Sequence, residues 1–128
     1  MKKYLLAFII LLVLVSLGMI FLIMRGSEDD WIKDSRGVWI KHGNPSEIPD
    51  YVLEQQEIIS CALEKFNNFS EEINSQCLGI CSDYAVDIVH VPRNADDNKF
   101  ENQCEDYANG IVNNFIELDK DGNLIRIV

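Results

Sequence analysis

The chain has 128 residues, a formal net charge of −10 and a mean hydropathy of −0.01. These averages merge unlike segments: residues 1–25 hold no acid and three bases, Lys2, Lys3 and Arg25, leaving 21 Asp and Glu against 8 Lys and Arg on the other 103 residues, a net of −13. One small acidic domain behind an apolar leader excludes a multidomain enzyme and a nucleic-acid binder that works through a basic footprint.

From Tyr4 to Met24 run 21 residues without charge, interrupted only by Ser16 and Gly18. That length spans a hydrocarbon core of roughly 30 Å as a helix. A cleaved signal peptide has a shorter apolar stretch, about 7–15 residues, and a small-residue cleavage site. Here the run ends Leu22-Ile23-Met24-Arg25-Gly26-Ser27 without one, and no Cys follows for lipoprotein processing. Residues 1–25 are therefore expected to be an uncleaved single-pass anchor that meets the lipid bilayer through residues 4–24. Lys2 and Lys3 precede the span, whereas Arg25 is followed by Glu28, Asp29 and Asp30. The positive-inside bias then puts the N-terminus in the cytoplasm and residues 26–128 outside the cell membrane. A pilin-like surface subunit also begins with an apolar helix, but its processing signal, a Gly before the run and an acid just inside it, is missing.

Residues 26–30, Gly-Ser-Glu-Asp-Asp, read as a polar linker, and residues 31–128 as one extracytoplasmic domain. Trp31-Ile32-Lys33 and Val38-Trp39-Ile40-Lys41 flank the turn-rich Asp34-Ser35-Arg36-Gly37, a β-hairpin pattern in which Lys33 pairs with Val38. Asp50 is placed to cap a helix from Tyr51 to Phe66, with apolar residues at 51, 58, 59, 62, 63 and 66 on one face. After a turn at residues 67–70, Glu71 to Cys77 reads as a second, shorter helix capped by Ser70 and stopped at Gly79. Tyr84 to Val91, rich in β-branched residues and closed by Pro92, is the most strand-like segment and should be central in its sheet. Asp87 and His90 lie three apart on it and point to opposite faces, so they form no acid–base dyad. A third helix carries Phe100, Cys104, Tyr107 and Ala108 on its apolar face and ends at Gly110. A final hairpin over a four-residue loop, Asp119-Lys120-Asp121-Gly122, pairs Leu118 with Asn123 and Ile116 with Ile125. Asp119, Asp121 and Asn123 imitate the start of an EF-hand calcium loop, but Leu124 stands where that loop needs Gly.

Cys61, Cys77, Cys81 and Cys104 all follow the leader, and an even count in a small extracytoplasmic domain reads as two disulfides. A helical hairpin turning near Phe69 brings Cys61 beside Cys77 and leaves Cys81 for Cys104; the nearest rival pairs Cys61 with Cys81 and Cys77 with Cys104. Two further alternatives are a thiol redox or copper site on Cys77 and Cys81, whose C-x-x-x-C spacing shares one face of a helical turn, and a zinc site on the four sulfurs or on three with His42 or His90. Neither has the usual C-x-x-C pair or His cluster, so no metal and no cofactor is expected. Asn68-Phe69-Ser70 is a sequon that makes Asn68 a glycosylation acceptor in a host that glycosylates.

Gly37-Val38-Trp39-Ile40-Lys41-His42-Gly43-Asn44-Pro45-Ser46 resembles a G-x-W-x-x-H-G-x-P hairpin of small, single-pass, mostly archaeal surface proteins without assigned activity. The match covers about ten residues. It implies an anchored extracytoplasmic module and no catalytic residue; where similar proteins carry a Cys near the end of the first strand, this chain has Lys33.

The expected architecture is α+β, an anchor followed by ββ-α-α-β-α-ββ, with a mainly antiparallel sheet and the helices on one of its faces. No nucleophile is set beside a base and no G-x-S-x-G motif occurs, so a structural or protein-interaction module of the cell surface ranks ahead of an enzyme. The candidate surface for another envelope or surface protein is Trp31, Trp39, His42, Gly43 and Asn44, because aromatic residues dominate interface energetics.

Overall fold

The computed structural model describes residues 2–26, 29–69 and 76–128. Two units divide the chain, Met1–Ile32 with Lys41–Glu47, and Lys33–Ile40 with Ile48–Val128. In the first, α1 (Lys2–Gly26) contains the Tyr4–Met24 window, none of it buried, and is long and apolar enough to cross a membrane. Of the expected linker at residues 26–30, Gly26 ends α1 and Asp30 opens a strand, while residues 27 and 28 lie outside the described residues.

β1 (Asp30–Lys33) and β2 (Trp39–His42) form the expected two-stranded sheet. Its turn closes in a different register. The Asp34 N–H donates to Val38 O at 2.9 Å, the Gly37 N–H donates to Asp34 O at 3.0 Å, and the Asp34 carboxylate accepts the N–H groups of Arg36 and Val38. This is a three-residue turn whose last position, Gly37, is left-handed at φ +84°. Lys33 therefore meets Trp39, with its ammonium 5.1 Å from the ring centre, rather than Val38. The same chemistry recurs at Asp119, whose N–H donates to Asn123 O and whose carboxylate accepts from the N–H groups of Asp121 and Asn123, while Gly122 sits at φ +80°. Both Asp119 carboxylate oxygens are thus engaged within the turn.

In the second unit, α2 (Asp50–Asn67) begins one residue earlier than expected, with Pro49 in the capping position and no side-chain cap from Asp50. Its buried stripe is Val52, Gln55, Ile58 and Ala62; Tyr51 and Leu63, expected on the apolar face, are exposed. Gln55 is there because its side chain joins two backbones, accepting the Trp39 N–H at 2.8 Å and donating to Gly37 O at 3.0 Å.

Of the expected second helix, residues 70–75 lie outside the described residues, while Cys77 is the first residue of a strand. β3 (Cys77–Cys81), β4 (Tyr84–Ile88), β5 (Asn114–Leu118) and β6 (Leu124–Ile127) form one sheet in that order. Among the described residues the order after α1 is thus ββ-α-ββ-α-ββ. β3–β4 and β5–β6 are antiparallel, but the central ladder β4–β5 is parallel. β4 occupies the interior position anticipated for it. The third helix is reduced to single turns at Asp96–Asn98 and Phe100–Asn102 and a short α3 (Glu105–Ala108); Phe100 is exposed, and Cys104 precedes α3 with 1% exposure. In the last hairpin Ile116 faces Ile127 and Leu118 faces Leu124, a bulged register that places Glu117 opposite Arg126.

A bulge in β3 organises the sheet. Cys77 pairs with Asp87 and Gly79 with Val86, so Leu78 is an additional residue and Gly79, at φ +117°, is part of the bulge rather than a helix stop. Residues four apart on a regular strand share a face. The extra residue instead sends Cys81 to the side of Val86, Ile116, Leu118 and Ile127, against Ile58 and Ala62 of α2, and Cys77 to the side of Ala85 and Asp87. The disulfides follow: Cys61–Cys81 ties α2 to one face, with Cα atoms 6.0 Å apart, and Cys77–Cys104 ties the segment before α3 to the other, at 4.8 Å. The expected pairing Cys61–Cys77 with Cys81–Cys104 fails because Cys77 is turned away from α2. Helical segments consequently cover both faces, not one.

The Asp34 turn packs on the open side of β6, where the Ile127 N–H donates to Arg36 O at 2.8 Å and a Cβ on Gly37 would meet Ile127 O at 2.2 Å. Gly37→Ala should therefore cost about 2–4 kcal/mol, combining a left-handed penalty with backbone overlap. Gly110→Ala, at φ +71° with open space around it, should cost only about 1 kcal/mol. Urea midpoints of the two variants check the contrast.

Candidate functional site: a carboxylate-rich pocket beside the Cys77–Cys104 bridge

Parallel pairing sets Asp87 directly beside Glu117 on the sheet face away from α2. Around them Gln76, Arg93, Asp97, Asn98, Tyr107, Phe115 and Arg126 line a polar pocket of about 220 Å³. Two adjacent carboxylates on a covered face require compensation. Glu117, 5% exposed, obtains it from two arginines: Arg93 Nη1 donates to Oε1, and Arg126 donates from Nε to Oε2 at 3.0 Å and from Nη2 to Oε1 at 3.1 Å. The Arg126 guanidinium lies 4.7 Å from the Phe115 ring centre, and Tyr107 meets the same ring edge-on. Asp97 obtains it from four donors, the backbone N–H groups of His90 and Asn94, the His90 ring and the Gln76 amide, at 2.7–3.1 Å. Burial opposes its charge, but these hydrogen bonds outweigh burial and hold Asp97 well below the usual carboxylate range.

Asp87 is different. Burial, reinforced by the charge of Glu117, pushes its carboxyl up to about 6 against the opposing Cys104 N–H and Arg93. Its Oδ1 is buried and has no hydrogen-bond partner among the described residues. A carboxyl of this kind can hold or release a proton near neutral pH.

The residues singled out from sequence fall elsewhere. Trp31, His42, Gly43 and Asn44 belong to the first unit, and Trp39 to the second. Trp31 is half-buried, its indole N–H donating to Glu47 O at 3.0 Å; His42, Gly43 and Asn44 are exposed, and the Asn44 N–H donates to Asp29. Trp39 is half-buried, tilted against Tyr51 with ring centres 4.7 Å apart. Asn68 is exposed at the end of α2, and its sequon partner Ser70 is outside the described residues. All four cysteines are in disulfides, and Cys77 and Cys81 bond to Cys104 and Cys61 rather than to each other. His90 lies just past β4, off the strand on which it was expected, and its ring is engaged with Asp97.

Sequence reasoning missed Arg93, Asp97, Glu117 and Arg126 as a group, because a parallel pairing across residues 89–113 and a bulged hairpin join them. One signal was present: Asp87 interrupts an otherwise apolar run, Tyr84 to Val89.

The raised Asp87 group has a definite pH signature. Its folded value, about 6, exceeds the ordinary 3.8, so its contribution to stability is fully present below about pH 4 and is lost as pH rises through about 6. Asp87→Asn should remove that loss, gaining about 1–2 kcal/mol at pH 7 after allowance for partial exposure, with the advantage vanishing towards pH 4. Denaturant titrations at several pH values measure the difference.

No protein-family model matches the chain, and no curated protein and no solved structure is significantly similar to it.

Proposed function

We propose that the protein is a single-pass, membrane-anchored module whose α+β domain lies outside the cell membrane and acts by associating with another envelope or surface protein. One observation carries this reading: the same short chain holds an apolar helix of spanning length and two disulfides that use every cysteine. Structural disulfides persist in oxidising compartments and are rare in the cytosol, and the distribution of Lys and Arg around the span favours a cytoplasmic N-terminus. Further support comes from the acidic surface, which opposes adsorption to anionic headgroups and leaves the domain available to a protein partner. The exposed His42-Gly43-Asn44 tip with the half-buried Trp31 offers a compact contact surface in the first unit. Trp39 is the poorer anchor for a partner because its ring already packs on Tyr51.

Topology is the test. The chain should sediment with membranes and resist carbonate extraction, and protease added to intact cells should remove the domain while leaving the anchor. A protein recovered in the soluble fraction with four alkylatable thiols would sink the assignment. Within the association reading, Trp31→Ala should reduce cross-linking to the partner about tenfold or more, as loss of an aromatic anchor does, while leaving the urea midpoint of the second unit in place.

A further inference from the structure

The Cys77 and Cys104 sulfurs and a carboxylate oxygen of Asp87 all lie within 4.8 Å of one another. Asp87 is the ladder partner of Cys77, and its carboxylate accepts the Cys104 N–H. The two sulfurs differ in access: Cys77 is half-buried on β3, an edge strand, whereas Cys104 is 1% exposed. Cys104 Sγ also lies 3.6 Å from the carbonyl oxygens of Gly79 and Val86. A disulfide sulfur has no hydrogen to give them, but a Cys104 thiol would, so the site already holds acceptors for the reduced form. Those same oxygens disfavour a bare Cys104 thiolate, since the carbonyl dipoles and the Asp87 carboxylate face it with negative charge. The Cys61–Cys81 bridge, on the α2 face, has no such carboxylate grouped with its sulfurs among the described residues.

We propose that Cys77–Cys104 is an exchangeable disulfide, reduced by an external dithiol through attack at Cys77, and that Asp87 supplies the proton required by the departing Cys104 sulfur. The incoming thiolate forms a bond to Cys77 Sγ, the Cys77–Cys104 bond breaks, and its electron pair goes to Cys104 Sγ, which takes the Asp87 carboxyl proton. The second thiolate of the dithiol then attacks its own sulfur in the mixed disulfide and releases Cys77 as a thiolate, protonated from solvent. The reductant leaves as a disulfide, the bridge has gained two electrons, and solvent returns the proton to Asp87. The groups facing Asp87 are Glu117 of β5, held by Arg93 and Arg126, and Arg93 itself after β4. A carboxyl with a buried, unpartnered oxygen costs stability, and proton delivery is the use that this position gives it.

The inference depends on local chemistry and stands apart from the topology proposed above, because it is tested on the purified full chain in detergent. Dithiothreitol reduction is quenched at intervals by alkylation, and each bridge is followed by peptide mass spectrometry. Cys77–Cys104 should open first. Its rate per unit of dithiothreitol thiolate should fall at least about tenfold as pH rises from 5 to 8, because the acid form of Asp87 is consumed. Asp87→Asn should flatten that profile and slow opening about tenfold or more at pH 5–6, leaving the Cys61–Cys81 rate unchanged. Prior opening of Cys61–Cys81, or opening of both bridges only with global unfolding, would overturn the proposal. So would a thiolate-normalised wild-type profile that is flat with pH, a result that stands even if the variant does not fold.

Discussion

One extra residue in β3 decides where both crosslinks go. The bulge at Leu78 and Gly79 breaks the two-residue alternation between Cys77 and Cys81, so a single five-residue strand presents one sulfur to each side of the sheet. Gly79 is suited to the position on two counts: its φ of +117° disfavours other residues, and a Cβ would come within 3.1 Å of Lys65 Nζ on α2. With the parity reversed, α2 is bound on one face and the segment leading to α3 on the other. In a chain whose second unit has a modest core, such crosslinks are typically worth about 2–4 kcal/mol each.

The parts legible in the sequence were those with a strong local period or a strong local turn. α1 announces itself by uninterrupted apolarity, α2 by its 3.6-residue pattern, β4 by β-branched content and both hairpins by Asp-x-x-Gly turns. The failures were of two kinds, contacts distant in sequence and the exact chemistry of a turn. An apolar residue near a helix end carries no mark of which turn faces the sheet, so Val52 and Gln55 were overlooked and Tyr51 was overvalued. The short run around Cys77 reads as helix by spacing, yet pairing with β4 overrides that preference. Each hairpin register was off because an Asp carboxylate that takes two backbone N–H groups shortens the loop to three residues.

The pocket was less legible still. Asp87, Arg93, Asp97, Glu117 and Arg126 are scattered over forty residues, and all but Asp87, which interrupts an apolar run, look alone like ordinary surface charge. Only the parallel register brings Asp87 beside Glu117, and only the bulged hairpin brings Arg126 opposite. Once assembled, the charges are unequally served. Glu117 takes both arginines and Asp97 takes four donors, while one Asp87 oxygen has no hydrogen-bond partner among the described residues. That inequality, rather than the number of acids, separates Asp87, whose carboxyl is pushed up by burial, from Asp97, whose donors favour its charged form.

The central ladder has a consequence for how the chain reaches this state. β3–β4 and β5–β6 are each joined by a tight turn and can form as local hairpins on the microsecond scale, but β4 and β5 run parallel and are separated by residues 89–113. Their meeting closes a long loop, the slow, entropically costly contact in such a topology. Asp87 and Glu117 sit on that seam, so the two carboxylates confront each other only when the halves join. The desolvation of the acidic pair therefore falls on the same contact as the loop closure, and in the folded sheet the hydrogen bonds of Arg93 and Arg126 to Glu117 offset it.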